Sequence, residues 1–367
     1  LIKKILKKDV PEFIQNPIFW NHSFLSVTKH RLYAHYMNPN CDDDDIVLLL
    51  AYLNDEIVGY MGVFIDIIEV NGKSQKIGWL STWWVHPKTK GTGIGRKILN
   101  TMYESLDGRI GVSQFTPSAK RVYVKSGYFN ELKTNKGFKF AFRSNLNIVI
   151  PLINPKLTKF LPLFSLTDIL INLPINLKNQ MHKFTTMQRL KNIKIEYVNI
   201  IDNETEKLIR DHSSNHLSQK SPQFFQWLKA HHWVQEAPLI KYDIHEKYEF
   251  SMSAEKFNIY FTKVFNNNKL VGFLVLQRKN HLLKVLFAYY IDGNQNIMAN
   301  LILLHAFKLK IKELVCYDEK INNIIVSSKT YLYKRKKLKE SIISKVFEEK
   351  NYSNYNLNFG DGDCCFA

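Results

Sequence analysis

The chain reads as an α/β protein with mixed sheets, built as two tandem copies of one unit. Three observations predict this. Apolar runs of strand length alternate with segments whose apolar residues recur at helical spacing. A loop with glycine at every second position, Lys90-Gly91-Thr92-Gly93-Ile94-Gly95-Arg96, joins a strand ending at Val85 to a helix. The turn and strand Asn54-Asp55-Glu56-Ile57-Val58-Gly59-Tyr60 return 213 residues later as Asn267-Asn268-Lys269-Leu270-Val271-Gly272-Phe273.

Residues 19–36 read as a helix, followed by a polar turn and four aspartates, Asp42 to Asp45. The aspartates lack the alternating oxygen spacing of a calcium loop and read as a solvated turn. Strands at 46–53 and 57–65 flank the Asn54-Asp55-Glu56 turn as a hairpin. A strand over 75–85 delivers the glycine loop, and its helix runs to about residue 105. Residues 109–115 form the next strand, parallel to the one before, and 136–150 read as closing strands. Between 151 and 190, Pro151, Pro155, Pro162 and Pro174 punctuate apolar pieces flanked by lysines. That composition suits a membrane-seated segment, but the prolines and Asp168 argue against a spanning helix. A connector packed between domains is the expectation, with no transmembrane segment.

The element order then repeats. It runs through a strand at 195–201, a helix at 203–212 capped by Asn203, and a helix at 221–234. Strands at 257–265 and 282–291, a helix at 297–309 and a strand at 313–317 follow. The expected domains are therefore 1–150, a linker over 151–190, 191–350, and a tail over 351–367. The second copy has one glycine, Gly293, in its strand-to-helix loop and no adjacent basic pair. It is expected to support the first, to dimerise, or to bind the acceptor. The basic run 333–339 reads as the solvated part of late strands. The tail Asn358-Phe359-Gly360-Asp361-Gly362-Asp363-Cys364-Cys365-Phe366 sets two aspartates on glycines, a pattern that could bind a polar ligand or a metal. His212 and His216 have the spacing of zinc ligands on a helix but no third partner, so no metal is expected.

A net charge of +18 favours anionic partners. The excess is spread along the chain, as a compositional lysine bias would be. The 45% hydrophobic and 13% aromatic content excludes a disordered chain. Cys41, Cys316, Cys364 and Cys365 show no metal spacing and fit reduced thiols in the cytoplasm. No leader sequence is recognisable.

The glycine loop has a physical use. The first N–H groups of a helix lack partners and sit at the positive end of its dipole. Without side chains in the way, a diphosphate can rest on that backbone. A P-loop needs Gly-Lys-Ser/Thr after four intervening residues, and a dinucleotide fingerprint needs G-x-G-x-x-G; neither is present. The loop resembles instead the Arg/Gln-x-x-Gly-x-Gly of the GNAT acyltransferases, with Lys90 in first place and the usual Val-x-Pro before it (Val85-His86-Pro87). Thr116 to Tyr128 resembles a second family pattern, Asn-x-x-Ala-x-x-x-Tyr-x-x-x-Gly-Phe. Ala119, Tyr123, Gly127 and Tyr128 fall in register, with Thr116 in place of asparagine.

The resemblance covers residues 45–130 and implies a co-substrate, acetyl-CoA or another acyl-CoA, lying between the strand ending at Val85 and the strand from Arg109. It implies main-chain contacts from Trp84 and Val85. The pyrophosphate would sit on Gly91, Thr92, Gly93, Ile94, Gly95 and Arg96 with help from Lys90, and Thr116 and Ala119 would border the cofactor. Tyr123 would protonate the departing sulfur; as a plain alternative it is a packing aromatic. No carboxylate lies on the strand before the loop, so Asp66, Glu69, His86 or a water chain would serve as base. The implied reaction is N-acylation of an amino sugar, a small amine or a peptide amine. Mycothiol synthase and the N-myristoyltransferases have a similar tandem layout. The Fem-type aminoacyltransferases share it too but draw on charged tRNA and generally lack the glycine loop. A Fem-like transferase and a non-catalytic acyl-CoA-binding scaffold are the alternatives.

Overall fold

A computed structural model describes residues 1–20, 25–236, 253–348 and 352–365. In chain order the elements are β1 (Ile2–Leu6), α1 (Val10–Gln15), α2 (Pro17–Trp20), α3 (Lys29–Tyr36), β2 (Ile46–Leu53), β3 (Glu56–Val70) and β4 (Lys73–Val85). Then come α4 (Ile94–Ser105), β5 (Ile110–Val112), α5 (Pro117–Ser126), β6 (Phe129–Ala141), α6 (Leu146–Ile153), α7 (Leu161–Arg189) and β7 (Ile193–Val198). The remainder is α8 (Asn203–Asp211), α9 (Pro222–Ala230), the short pair β8 (Gln235–Glu236) and β9 (Ser253–Ala254), and β10 (Phe257–Asn266). It closes with β11 (Lys269–Lys279), β12 (Leu282–Tyr290), α10 (Gln295–Lys308), β13 (Glu313–Cys316), α11 (Glu319–Ser328) and β14 (Tyr333–Ser344).

The chain forms two units that interleave along the sequence. Unit 1 is Leu1–Asn135, Asn199–Lys256 and Lys339–Ala367; unit 2 is Lys136–Val198 and Phe257–Leu338. The expected cuts at 150, 190 and 350 do not coincide with these boundaries, and the reason is strand exchange. In unit 1 the strand order is β1-β2-β3-β4-β5-β14, and β14 comes from the chain's second half. Ile342 and Ile343 pair antiparallel with Val112 and Gly111. In unit 2 the order is β6-β13-β12-β11-β10-β7, where the end of β6, from the first half, pairs antiparallel with β13. Among the described residues the main sheet of each unit has one parallel pair, β4 with β5 and β12 with β13, and unit 1 also carries the short parallel pair β8 with β9.

The internal repeat is visible in detail. Both hairpins turn on two left-handed residues, Asn54 and Asp55 in one and Asn267 and Asn268 in the other, as a two-residue turn between twisted strands requires. Both carry an irregularity at matching places, between Ala51 and Tyr52 and between Val264 and Phe265. A helix then packs on a glycine of each sheet. A Cβ on Gly59 would meet Ile98 Cδ1 at 2.8 Å, and one on Gly272 would meet Met298 Cε at 2.5 Å. Ile98, Leu99 and Met102 bury α4 in the unit 1 core, and Met298, Leu301 and Ile302 bury α10 in that of unit 2.

Several local expectations change. The helix expected over 19–36 is α2 and α3, with Thr28 capping α3 by accepting from Arg31 N–H; residues 21–24 lie outside the described residues. Helix α8 is capped by Asp202, which accepts from Thr205 N–H at 2.9 Å, rather than by Asn203. Residues 146–150 are helical in α6, because Asp168 accepts from the Leu146 and Asn147 amides and caps that helix from outside. Lys339 in the basic run is buried and donates to Phe359 O. His216 lies past the end of α8 and pairs with Asn358 instead of facing His212 along a helix. Most of the proline-rich segment is one helix: α7 continues for 29 residues straight through Pro174. With the turn before it, Pro155–Arg189 is long and apolar enough to cross a membrane, and only 6% of its most apolar window is buried.

Candidate active site

The site of unit 1 begins where two parallel strands part. β4 and β5 pair only at Gly78–Ile110 and Trp79–Gly111. Just beyond, β4 carries a bulge. Gly62 of β3 faces Ser81 and Met61 faces Trp83, so Thr82 is left over, with φ 45°. A bulge bends its strand and increases its twist, which turns the segment from Trp83 to Val85 away from β5. Trp84 and Val85 stay paired with Tyr60 and Gly59 on the β3 side. Their other side is the gap.

The glycine loop lies at the end of β4. A single 3₁₀ turn, Pro87–Thr89, is held by Thr89 Oγ1 donating to His86 O and Thr92 Oγ1 donating to Thr89 O. Gly91 and Gly93 then take left-handed conformations, φ 86° and 80°, and Gly93 is the N-cap of α4. The first helical hydrogen bond runs from Lys97 N–H to Gly93 O, so the amides of Ile94, Gly95 and Arg96 precede the ladder. A Cβ at Gly91 or Gly93 would meet nothing within 4 Å. The space over this backbone is open, and Lys90, Arg96 and Lys97 stand exposed around it. A diphosphate fits here on charge, on donors and on room.

Tyr123 and its helix border the same gap. Thr116 caps α5, its hydroxyl accepting from Ala119 N–H at 3.3 Å, so it does a capping residue's work in the place of asparagine. Tyr123 is buried among Trp83, Phe115 and Phe129, with ring centroids 5.2, 6.0 and 5.3 Å away. Trp83 also touches the space of Gly95, its ring 3.4 Å from an ideal Cβ there, which links loop and tyrosine through one side chain. Burial, and then the charge of Asp363, push the Tyr123 phenol well above its ordinary value, so it keeps its proton.

Of the three carboxylate and imidazole candidates for a base, Asp66 is occupied structurally. It is fully buried, receives Lys220 Nζ at 2.6 Å, and accepts from Trp79 Nε1 and Ser218 Oγ. His86 caps the 3₁₀ turn, Nδ1 accepting from Lys88 N–H at 3.0 Å. Glu69 donates its backbone amide to Leu217 O. The acidic group that reaches Tyr123 is one the sequence reading left without a role. A 3₁₀ turn at Gly362–Cys365 packs the tail against β4 and β3. There the Ser113 hydroxyl donates to Asp363 Oδ1, and Cys364 Sγ lies 3.5 Å from Ser113 Oγ. Burial raises the Asp363 carboxyl above the usual range, offset by the Ser113 hydrogen bond and by Arg31. Arg31, itself buried, donates to Ser81 Oγ at 2.8 Å. A phenol that keeps its proton and a carboxyl that burial makes a better proton acceptor thus influence each other electrostatically.

The matching place in unit 2 is closed. Tyr290 ends β12 as Val85 ends β4, and its hydroxyl bonds both oxygens of Asp318, at 3.0 and 2.9 Å. Asp318 also caps α11 by accepting from Ile321 N–H. The loop before α10 has the left-handed Gly293 but an N-cap, Asn294, that makes no side-chain cap.

Comparison with known proteins agrees with this geometry. The family model for the acetyltransferase (GNAT) domain matches residues 2–129. No curated protein matches in sequence. Among solved structures, a conserved protein of unknown function from Enterococcus faecalis V583, described as a probable N-acyltransferase, is 8% identical with a TM-score of 0.51. The match covers 94% of this chain and 73% of that one. A GCN5-related N-acetyltransferase from Anabaena variabilis is 8% identical with a TM-score of 0.45. That match covers 81% of this chain but only 62% of the other, so this chain spans less than two thirds of that relative's length. The Saccharomyces cerevisiae N-myristoyltransferase with bound myristoyl-CoA is 8% identical with a TM-score of 0.46, over 90% and 75% of the two chains. The segment 2–129, which holds the bulged and parting strands and the glycine loop, is thus similar to the acetyltransferase (GNAT) domain.

Proposed function

We propose that unit 1 is an acyl-CoA-dependent N-acyltransferase of the acetyl type. It acts in the cytoplasm on an amine acceptor such as an amino sugar, a small amine or a peptide amine. The observation that carries this reading is the open, left-handed loop Gly91–Gly93 at the start of α4, set beside the parting strands β4 and β5, with Tyr123 packed on Trp83 and Asp363 bonded to Ser113. The amides of Gly93 to Arg96 would hold the diphosphate, with Lys90 and Arg96 adding charge, and the main-chain edge of Trp84 and Val85 that faces away from β3 would take the arm. When bound, acyl-CoA supplies a thioester carbonyl and a thiol leaving group.

This chain's residues would then manage the protons. Asp363 Oδ accepts the proton that the acceptor amine must lose, and Ser113 orients it. Tyr123 Oη holds the proton that the departing sulfur needs, and its burial keeps that proton in place at neutral pH. Trp83, Phe115 and Phe129 exclude water around the phenol. Titration of the full chain with acetyl-CoA tests the reading, and absence of heat and of any thermal shift would refute it. An Asp363→Asn change should leave acetyl-CoA affinity within about threefold while lowering kcat about 100-fold, the usual scale of acid–base assistance.

A further inference from the structure

Helix α7 is built inside out. Its buried residues are Asp168, Asn172, Asn179 and Thr186, all polar. Three of them bind the rest of unit 2, while the Thr186 hydroxyl donates to His182 O within the helix. Asp168 accepts from Ser144 Oγ and from the α6 amides, Asn172 both accepts from Ser144 N–H and donates to Ser144 O, and Asn179 donates to Phe142 O. The outward side carries Leu163, Leu166, Ile169, Leu170, Leu173 and Leu177, all exposed. Helix α6 continues the surface with Leu152 and Ile153, 78% and 79% exposed. A helix on a water-soluble body does the reverse, burying its apolar stripe. A contiguous exposed apolar surface of this extent marks an interaction site.

We propose that the α6–α7 face of unit 2 seats the protein on the surface of a bilayer rich in anionic lipid. Charge selects the occupant. Lys156, Lys159, Lys178, Lys183 and Arg189 lie within or beside the apolar surface, while Asp168, the single acidic residue between 142 and 190, is buried. A second copy docking face to face would set these cations against their equivalents. Anionic headgroups complement them, with apolar side chains entering the acyl boundary. The helix lies in the plane of the surface instead of crossing it. Its polar contacts to the rest of unit 2 run from Asp168 to Arg189, whose guanidinium donates to Asn300 Oδ1, a span of about 30 Å of helix, so a crossing helix would draw the folded body of unit 2 into hydrocarbon.

The test uses the full chain with vesicles of phosphatidylcholine alone and of phosphatidylcholine with one quarter phosphatidylglycerol. Sedimentation should show binding at least tenfold tighter to the anionic vesicles, weakened by salt. A Leu166→Gln, Leu170→Gln, Leu177→Gln triple variant alters only exposed positions and should lose at least tenfold in vesicle affinity with an unchanged thermal melt. A Lys156→Gln, Lys159→Gln, Lys178→Gln variant should lose the preference for phosphatidylglycerol. The proposal is overturned if the wild type ignores both vesicles, or if the triple variant binds as well as wild type. It is equally overturned if sedimentation without lipid shows a dimer that the triple variant dissociates, or if alkaline carbonate fails to release the bound protein. None of these readouts depends on acyl transfer.

Discussion

Gly93→Ala separates the folding role of the loop from its binding role, because the two costs are of different size. Gly93 sits at φ 80°, where an L-residue pays roughly 1 kcal/mol relative to glycine. The new methyl would meet no atom of the chain within 4 Å, so no packing loss adds to this. In a unit of this size, that lowers the melting temperature by about 2–4 °C. The methyl would, however, stand over the amides of Ile94 to Arg96, between backbone and anion. Losing one charge-assisted hydrogen bond of about 1.5–3 kcal/mol raises Kd for acetyl-CoA about 10- to 100-fold. Gly293→Ala is the matched control, with φ 92° and the same open surroundings in the second half. It should show the same small thermal cost and leave Kd unchanged. Calorimetric titration and thermal melts on both variants decide the matter. A Kd within twofold of wild type for Gly93→Ala, or equal losses in both variants, would refute the assignment of the phosphate seat to this loop.

Tyr123→Phe should lower kcat about 10- to 100-fold with KM within threefold, since the ring packing of Trp83, Phe115 and Phe129 is kept; an unchanged kcat in steady-state assays would make the residue purely structural. Lys220→Met should destabilise unit 1 by about 3–5 kcal/mol in urea melts, because Asp66, paired with it at 2.6 Å, would be left as an uncompensated charge with both side chains 1% exposed. The Asp361 carboxyl is fully buried, and burial raises it to about 6 against an ordinary 3.8. The folded state therefore holds this proton between those values while the unfolded state has lost it, so its contribution is present below about pH 4 and is lost as pH rises through about 6. Urea melts should show wild type losing on the order of 2–3 kcal/mol relative to Asp361→Asn across that window, and parallel pH curves for the two proteins would contradict it.

Local patterns carried much of the fold. The two hairpins, the strand feeding the loop and the helix after it were readable because turn residues and apolar alternation act over fewer than ten positions. Tyr123 and the glycine loop were readable for the same reason, as two short motifs on neighbouring elements. What escaped was set by partners far away in sequence. Nothing near Ile342 announces that it pairs with Val112, so the exchange of last strands and the interleaved units were hidden. Asp363 looked like part of an odd tail because its partner, Ser113, is 250 residues distant. Helix α7 was misread for a subtler reason. The prolines and Asp168 argued against a long apolar helix, yet the aspartate is buried as a helix cap and Pro174 stands on an exposed face.

The exchanged strand has a consequence for biosynthesis. When a ribosome has made residues 1–135, the loop, α4 and α5 all exist, but β5 has no partner on its far side and presents a bare strand edge. Its partner β14 is translated some 200 residues later, and Asp363 later still. Until then the nascent chain holds an unsatisfied sheet and an incomplete acid–base pair, and closing it requires contacts of very high sequence separation, which form slowly. A fragment cut at residue 135 should therefore aggregate or occupy chaperones instead of acting as a miniature enzyme. On the proposed acid–base pairing, the site is complete only once Asp363 has been made.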